Sequence, residues 1–197
     1  MGAAAAILGA MLVYGVVHSW LAWPQAKGLA QRLFGAGSLR WYRLAYNLFA
    51  ALSLLPVLYL AAALPDEPLY RVPQPWSLAM LAVQGLAGLG LLAAVLQTGA
   101  LSFVGLAQLF QGGDPAPGRL VESGLYRWMR HPIYTTGMAF LWFTPLMTRN
   151  LLLLYAGFSL YFLIGAWFEE RKLLREFGQA YRDYQRRVGM FLPRLPR

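Results

Sequence analysis

Arg130, His131 and Pro132, with Tyr134 and Gly137 close behind in the block RHPIYTTG, and the adjacent pair Glu169 and Glu170 in EERKLLREFGQAYRDYQ, are the residues of this chain with the types and order to do chemistry. Proline suits the first position of a helix, where an N–H has no intrahelical partner to lose, and His131 then takes the cap position. A helix starting there presents free N–H groups, the positive end of its dipole and Arg130 together. Such an arrangement holds an anionic group, a carboxylate or a phosphate. Taken alone, Arg-His-Pro is also what a basic membrane anchor ahead of a proline-started helix looks like, and the glutamates alter that balance. They end an apolar run from Leu151, and a short hairpin around Thr148 to Asn150 returns them to the same membrane face as His131. Neighbours on a helix diverge by about 100°, so only one carboxylate need face the hairpin partner. The other pairs with Lys172 or Arg130, or faces water.

The elements that must position these residues are apolar. Of 197 residues 58% are hydrophobic and 13% charged, and the mean hydropathy of +0.46 exceeds what one soluble core of this size needs. Five apolar runs stand out, at residues 3–21, 41–64, 76–99, 132–147 and 151–168, against the ~20 apolar residues that span hydrocarbon. The fourth is short and contains Pro145. The first has no basic residue ahead of it and is followed by Trp20, Trp23 and Lys27, an interfacial anchor, so it reads as a retained span rather than a cleaved leader. The expected fold is all-α: a polytopic membrane bundle of five transmembrane helices and a cytoplasmic amphipathic C-terminal helix. In that tail Leu173, Phe177, Tyr181, Tyr184 and Val188 line one face and Arg171, Arg175, Arg182, Asp183 and Arg186 the others, as in an interfacial helix continuing the fifth span. The chain reads as a single membrane domain over 1–197, with a three-span half, 1–99, and a second half, 100–197, made of loop, helical hairpin and tail.

Charge fixes the expected orientation. Fifteen of the 17 Lys and Arg fall on one set of alternate loops and in the tail, and only Arg71 and Arg149 on the other, which places the amino terminus outside and the carboxyl terminus in the cytoplasm. The net charge of +9 is thus a topology signal, and no basic aromatic pattern points to nucleic acid. With no cysteine, disulfides, thiolate nucleophiles and thiolate metal sites are excluded. His18, near the cytoplasmic end of the first span, is a candidate substrate contact, but with His131 as its only companion a metal site lacks ligands. Gln84, Gln97 and Asn47 read as interhelical hydrogen-bonding groups, Gly85 and Gly88 as packing notches, and Gln108 as a lining residue of an acceptor path. The Gly- and Pro-rich stretch 112–118 reads as a loop and a candidate lid.

The stretches LVESGLYRWMRHPIYTTG and EERKLLREFGQAYRDYQRRV resemble the cytoplasmic-face signature of the isoprenylcysteine carboxyl methyltransferase and phospholipid methyltransferase superfamily of integral membrane enzymes. The likeness spans residues 119–193 and rests on several ordered elements: Gly-x-Tyr, Arg-His-Pro-x-Tyr, Glu-Glu, Phe-Gly and Tyr-x-x-Tyr. HSWLAWPQAKGLAQRLFG and RWYRLAYNLFA are similar to the NnrU and methanethiol methyltransferase branches. The resemblance implies methyl transfer from S-adenosylmethionine, with residues 100–197 as the cofactor-binding half and the cofactor held between the last two spans and the tail. His131 and Glu170 are its implied catalytic residues, and Arg130, His131, Pro132, Tyr134, Gly137, Glu169 and Glu170 its implied cofactor contacts. The acceptor is expected to be a small or lipophilic thiol, carboxylate or lipid headgroup, entering from the membrane. An NnrU-like accessory protein and a nicotinamide-dependent membrane reductase are the alternatives; no phosphate-binding glycine fingerprint supports the latter.

Overall fold

The computed structural model describes residues 2–111 and 119–194. The expected lid at 112–118 lies outside the described residues. Along the chain run α1 (Ala3–Ala22), α2 (Pro24–Phe34), α3 (Ser38–Ala63), β1 (Pro68–Arg71), α4 (Trp76–Gln97), α5 (Ala100–Val104), α6 (Leu106–Gln111), a single 3-10 turn (Gly124–Arg127), α7 (Pro132–Trp142), β2 (Leu146–Thr148), α8 (Arg149–Phe177) and α9 (Gln179–Arg187). Four of these, α1, α3, α4 and α8, are long and apolar enough to cross a membrane. Leu12, Leu52, Leu86 and Leu160 on them are 57–69% exposed. Burying a leucine side chain is worth about 1.5–3 kcal/mol, so faces this apolar belong in lipid, and the protein is an all-α integral membrane bundle.

Two compact units divide the chain. One comprises Met1–Glu67 and Gly99–Gly118. In it α1 packs on α3, and Pro24 starts α2 at its first position, as proline's missing N–H allows. Tyr42 donates to the Leu21 carbonyl at 2.8 Å, and Asn47 Nδ2 and Arg43 Nε donate to the Phe103 carbonyl at 2.9 and 3.3 Å.

The other unit comprises Pro68–Thr98 and Arg119–Arg197 and contains the Arg-His-Pro block and both glutamates. Here the fourth apolar run departs from the expected full-length helix. α7 has 11 residues, about 16 Å against a hydrocarbon thickness of ~30 Å. The remainder turns at Phe143, is non-helical, and ends in β2, which pairs antiparallel with β1. α4 measures the distance covered: its start follows β1, its end places Gln97 against the Leu125 N–H at 2.9 Å, and its 22 residues rise about 33 Å. A half-length helix and a non-helical leg therefore cover the length of one span. Exposed backbone on that leg would be costly in lipid. It is satisfied by Val72 N–H donating to Pro145 O (2.8 Å), the Tyr70 hydroxyl to Thr144 O (3.2 Å) and the β ribbon.

α7 lies along α4 through the polar and small residues expected to pack. Gln84 Nε2 donates to Phe140 O at 2.7 Å and Gly88 faces the Phe140 ring, while the closest notch is Gly90, against Thr136, rather than Gly85. The turn into α8 is set by Thr148, whose hydroxyl oxygen accepts from Leu151 N–H at 3.2 Å. Thr148→Ala is expected to lower stability by about 1 kcal/mol, the usual cost of losing an N-cap, in denaturation followed by circular dichroism.

α8 runs 29 residues, about 43 Å, and so carries Glu169 and Glu170 on its final turns. The tail does not simply continue it. Gly178 has φ +54°, a conformation that other residues adopt only with strain, and the chain breaks there before α9. The break turns the apolar stripe inward: Tyr181, Tyr184 and Val188 are buried with Leu120, Leu173, Leu174 and Phe177 packed against them. α9 thus spends its apolar face on the protein itself, where an interfacial helix would lay it on lipid.

Candidate functional site

Glu170 is the hub of the site. The last turns of α8 bring its carboxylate to the start of α7, where five donors meet it. Arg130 binds it in a two-pronged fashion, Nε to Oε1 at 2.8 Å and Nη2 to Oε2 at 3.1 Å. His131 Nε2 donates to Oε1 at 2.8 Å, the Tyr181 hydroxyl to Oε1 at 2.7 Å, and Gln185 Nε2 to Oε2. The side chains of Glu170, Arg130 and His131 are 11%, 9% and 3% exposed. Charges this buried persist only when paired and hydrogen-bonded, which these are.

A strap from the end of α9 locks the start of α7. Met129 and Gly189 bridge in parallel, Arg130 N–H donates to Gly189 O at 2.9 Å, and His131 N–H to Met190 O at 3.1 Å. Arg130 Nη1 reaches the Val188 carbonyl at 2.5 Å, and the Thr135 hydroxyl the Phe191 carbonyl at 2.9 Å. The approach is so close that a Cβ at Gly189 would collide with the Leu192 carbonyl oxygen. Further ties hold α9 down: the Tyr184 hydroxyl donates to Tyr126 O at 2.6 Å, and Arg187 pairs with Glu122 at 2.7 Å.

Glu169 is placed differently. Its side chain is 45% exposed, its Oε2 is 3.5 Å from His131 Nδ1, and the Tyr134 hydroxyl is within hydrogen-bonding reach of it. His131 therefore has a carboxylate at each ring nitrogen. Burial opposes the charged imidazolium, but the bonds to Glu169 and Glu170 outweigh burial and raise its pKa above 6.5. Because the folded-state value is raised, the stabilisation is fully present below about 6.5 and is lost as pH rises through the raised value. Melting temperatures are expected to fall as pH rises above that point, and His131→Gln to flatten this part of the profile. The Tyr181 hydroxyl is pushed well above its ordinary value by burial and by Glu170, and Tyr184 to about 12 by burial first, so both remain donors at physiological pH.

The sequence-predicted residues fall into two groups. Arg130, His131, Tyr134, Glu169 and Glu170 come together, with Pro132 opening α7 as expected. Arg130, expected to hold an external anion, is instead engaged by Glu170 and two carbonyls. Gly137, expected to leave room for a cofactor, faces the Phe162 ring, 3.3 Å from where a Cβ would stand. That ring continues a stack from His131 to Tyr134 (5.5 Å) and from Tyr134 to Phe162 (5.5 Å). His18 and Gln108 belong to the first unit. The Tyr46 hydroxyl lies 2.7 Å from His18 Nε2; Gln108 is buried, donating to Ser102 O at 3.2 Å while its Oε1 has no partner among the described residues. Tyr181, read from sequence as a residue of the apolar face, and Gln185, to which the sequence assigned no role, both donate to the Glu170 carboxylate; their i,i+4 spacing on α9 was the available signal.

Methanethiol S-methyltransferase 2 of Bradyrhizobium diazoefficiens is 30% identical over 94% of this chain and 71% of its own length. The methanethiol S-methyltransferase of Pseudomonas sp. (strain GM41(2012)) is 31% identical over 94% and 74%. A 49% identity to the Mycobacterium tuberculosis methanethiol S-methyltransferase covers 35% of this chain and 28% of that one, and a 34% identity to methanethiol S-methyltransferase 1 of B. diazoefficiens covers 77% and 54%. The chain thus spans about a quarter and about half of these last two relatives. No solved structure gives a significant match. The family model described as phospholipid methyltransferase matches residues 79–180, from α4 through Glu170 to the start of α9. By that match over just over half of its length, and by relatives at least 30% identical over 94% of it, the chain belongs to the phospholipid methyltransferase family.

Proposed function

We propose that this protein is a membrane methyltransferase that moves a methyl group from S-adenosylmethionine to a small thiol, at a site opened on the cytoplasmic side by α7, the end of α8 and the C-terminal strap. The observation that carries the reading is Glu169: a half-exposed carboxylate beside His131 and the Tyr134 ring, next to a neighbour whose own carboxylate is saturated. A carboxylate and aromatic faces together suit a ligand bearing an ammonium, hydroxyl donors and a sulfonium. When bound, the cofactor supplies a methyl group activated on positively charged sulfur. The chain's residues supply orientation and exclusion of water for an in-line displacement. His131, with a carboxylate at each ring nitrogen, acts as a fixed imidazolium and not as a base. The acceptor must then reach its nucleophilic form without a base from the site, which disfavours an ammonium of pKa about 10.4 and leaves a carboxylate or, as proposed, a thiol of pKa about 8.5. The names of the relatives point to the same acceptor class. The fifteen-to-two distribution of Lys and Arg supports the amino terminus outside and the site in the cytoplasm.

The test is calorimetric titration of the detergent-purified protein with S-adenosylhomocysteine, followed by transfer of labelled methyl to methanethiol. Binding and transfer are expected, and the transfer rate is expected to rise with pH along the ionisation of the thiol. A folded protein that binds no S-adenosylhomocysteine would overturn the reading.

A further inference from the structure

Glu169 and Glu170 are adjacent and chemically identical, yet their surroundings give them separate tasks. A carboxylate offers about four lone-pair positions, and Glu170 already meets five donors within the protein. A ligand ammonium or hydroxyl would have to displace one of them. Two of the five come from α9, a helix with no place in the first or second carboxylate's own hairpin. Tyr181 reaches Oε1 at 2.7 Å from within the buried cluster of Tyr184 and Val188, and Gln185, one helical turn on, reaches Oε2. Each oxygen of Glu170 thus has one donor from Arg130 and one from α9.

We propose that Tyr181 and Gln185 are positioning residues of the cofactor site: they hold Glu170 as the fixed anchor of Arg130 and His131, and so leave Glu169 as the carboxylate that meets the cofactor's donor groups. The inference rests on the methyltransferase reading above. Without the α9 donors, Glu170 is held by Arg130 and His131 alone, and nothing on the α9 side fixes the plane of its carboxylate. His131 then loses its fixed plane, and with it Glu169 and the Tyr134 ring lose the surface against which they are set.

The experiment is calorimetric titration with S-adenosylhomocysteine, with melting temperature measured on the same samples, for wild type, Glu169→Gln, Tyr181→Phe and Tyr184→Phe. Tyr184→Phe is the control for lost packing and hydroxyl, since its hydroxyl serves the Tyr126 carbonyl and not a carboxylate. Glu169→Gln is expected to weaken binding at least tenfold with little change in melting temperature, because its side chain is half exposed. Tyr181→Phe is expected to weaken it about tenfold, the size of a hydrogen bond to a charged group. Tyr184→Phe is expected to lower the melting temperature at unchanged affinity. Gln185→Leu, half-buried one turn on from Tyr181, repeats the test at the second oxygen should Tyr181→Phe fold poorly. Wild type that binds no S-adenosylhomocysteine overturns the methyltransferase reading and this inference together. Wild type that binds, with Glu169→Gln binding equally well or with Tyr184→Phe weakened as much as Tyr181→Phe, overturns this inference alone.

Discussion

Glu170→Ala is expected to abolish S-adenosylhomocysteine binding and to lower stability by about 3–5 kcal/mol, the cost of removing one partner from a buried ion pair. The loss is larger than for an ordinary core truncation because of what stays behind. Arg130, its side chain 9% exposed, keeps only the carbonyls of Gln185 and Val188 to answer its charge, and His131 keeps only the longer contact to Glu169. Tyr181 keeps a buried hydroxyl with its acceptor gone. A double variant, Arg130→Met with Glu170→Leu, separates the two effects. Removing both charges is expected to recover most of the stability, since well-packed apolar replacements of buried pairs are often neutral or better, while binding stays lost. Circular dichroism melts give the first quantity and calorimetry the second. A Glu170→Ala protein that melts like wild type would show the hub to be dispensable for the fold.

Gly189→Ala is expected to be strongly damaging although it replaces only a single hydrogen by a methyl group. The added carbon meets the Leu192 carbonyl oxygen, which is backbone and cannot rotate away as a side chain would. Relief requires the strap to move, and the strap is what receives the N–H groups of Arg130 and His131. Overpacking commonly costs about 1–3 kcal/mol and each lost hydrogen bond about 1 kcal/mol, so a total of about 3–5 kcal/mol is expected. Because the displaced groups form the start of α7, cofactor affinity should fall with stability. Gly178→Ala makes an instructive comparison. That position has open space but a φ of +54° with ψ -120°, so the expected cost is about 1–3 kcal/mol of backbone strain.

The membrane class and the start of α7 at Pro132 were legible in the sequence because both rest on local signals. Apolar runs of spanning length announce α1, α3, α4 and α8, and the proline after His131 announces the start of α7. The fourth run misled for a physical reason: its apolar composition says that it lies among helices, not that it is itself helical throughout, and Pro145 with the β1 partner converts its second half to a non-helical leg. The tail misled in another way. An amphipathic pattern reports that one face avoids water, and the same pattern serves a helix lying on lipid and one packed on its own protein. Only the Gly178 turn decides between them, through a backbone angle that composition does not show. The roles of Arg130 and the two glutamates were out of reach for a related reason. Which of several opposite charges pair depends on contacts 40 and more residues apart in the chain, as between Arg130 and Glu170 or Val188.

That separation has a consequence for how the protein is made. Spans threaded into the bilayer during synthesis acquire their crossings one by one, but the pairings at the start of α7 wait for chain made much later. Arg130 has no carboxylate partner until Glu170 is made, and its backbone N–H has no acceptor until Gly189 follows. In that interval the chain carries an arginine without the carboxylate that the finished fold gives it. Integration into the bilayer and acquisition of a binding site are thus separate events in the life of the chain, and the second is governed by the strap that closes last.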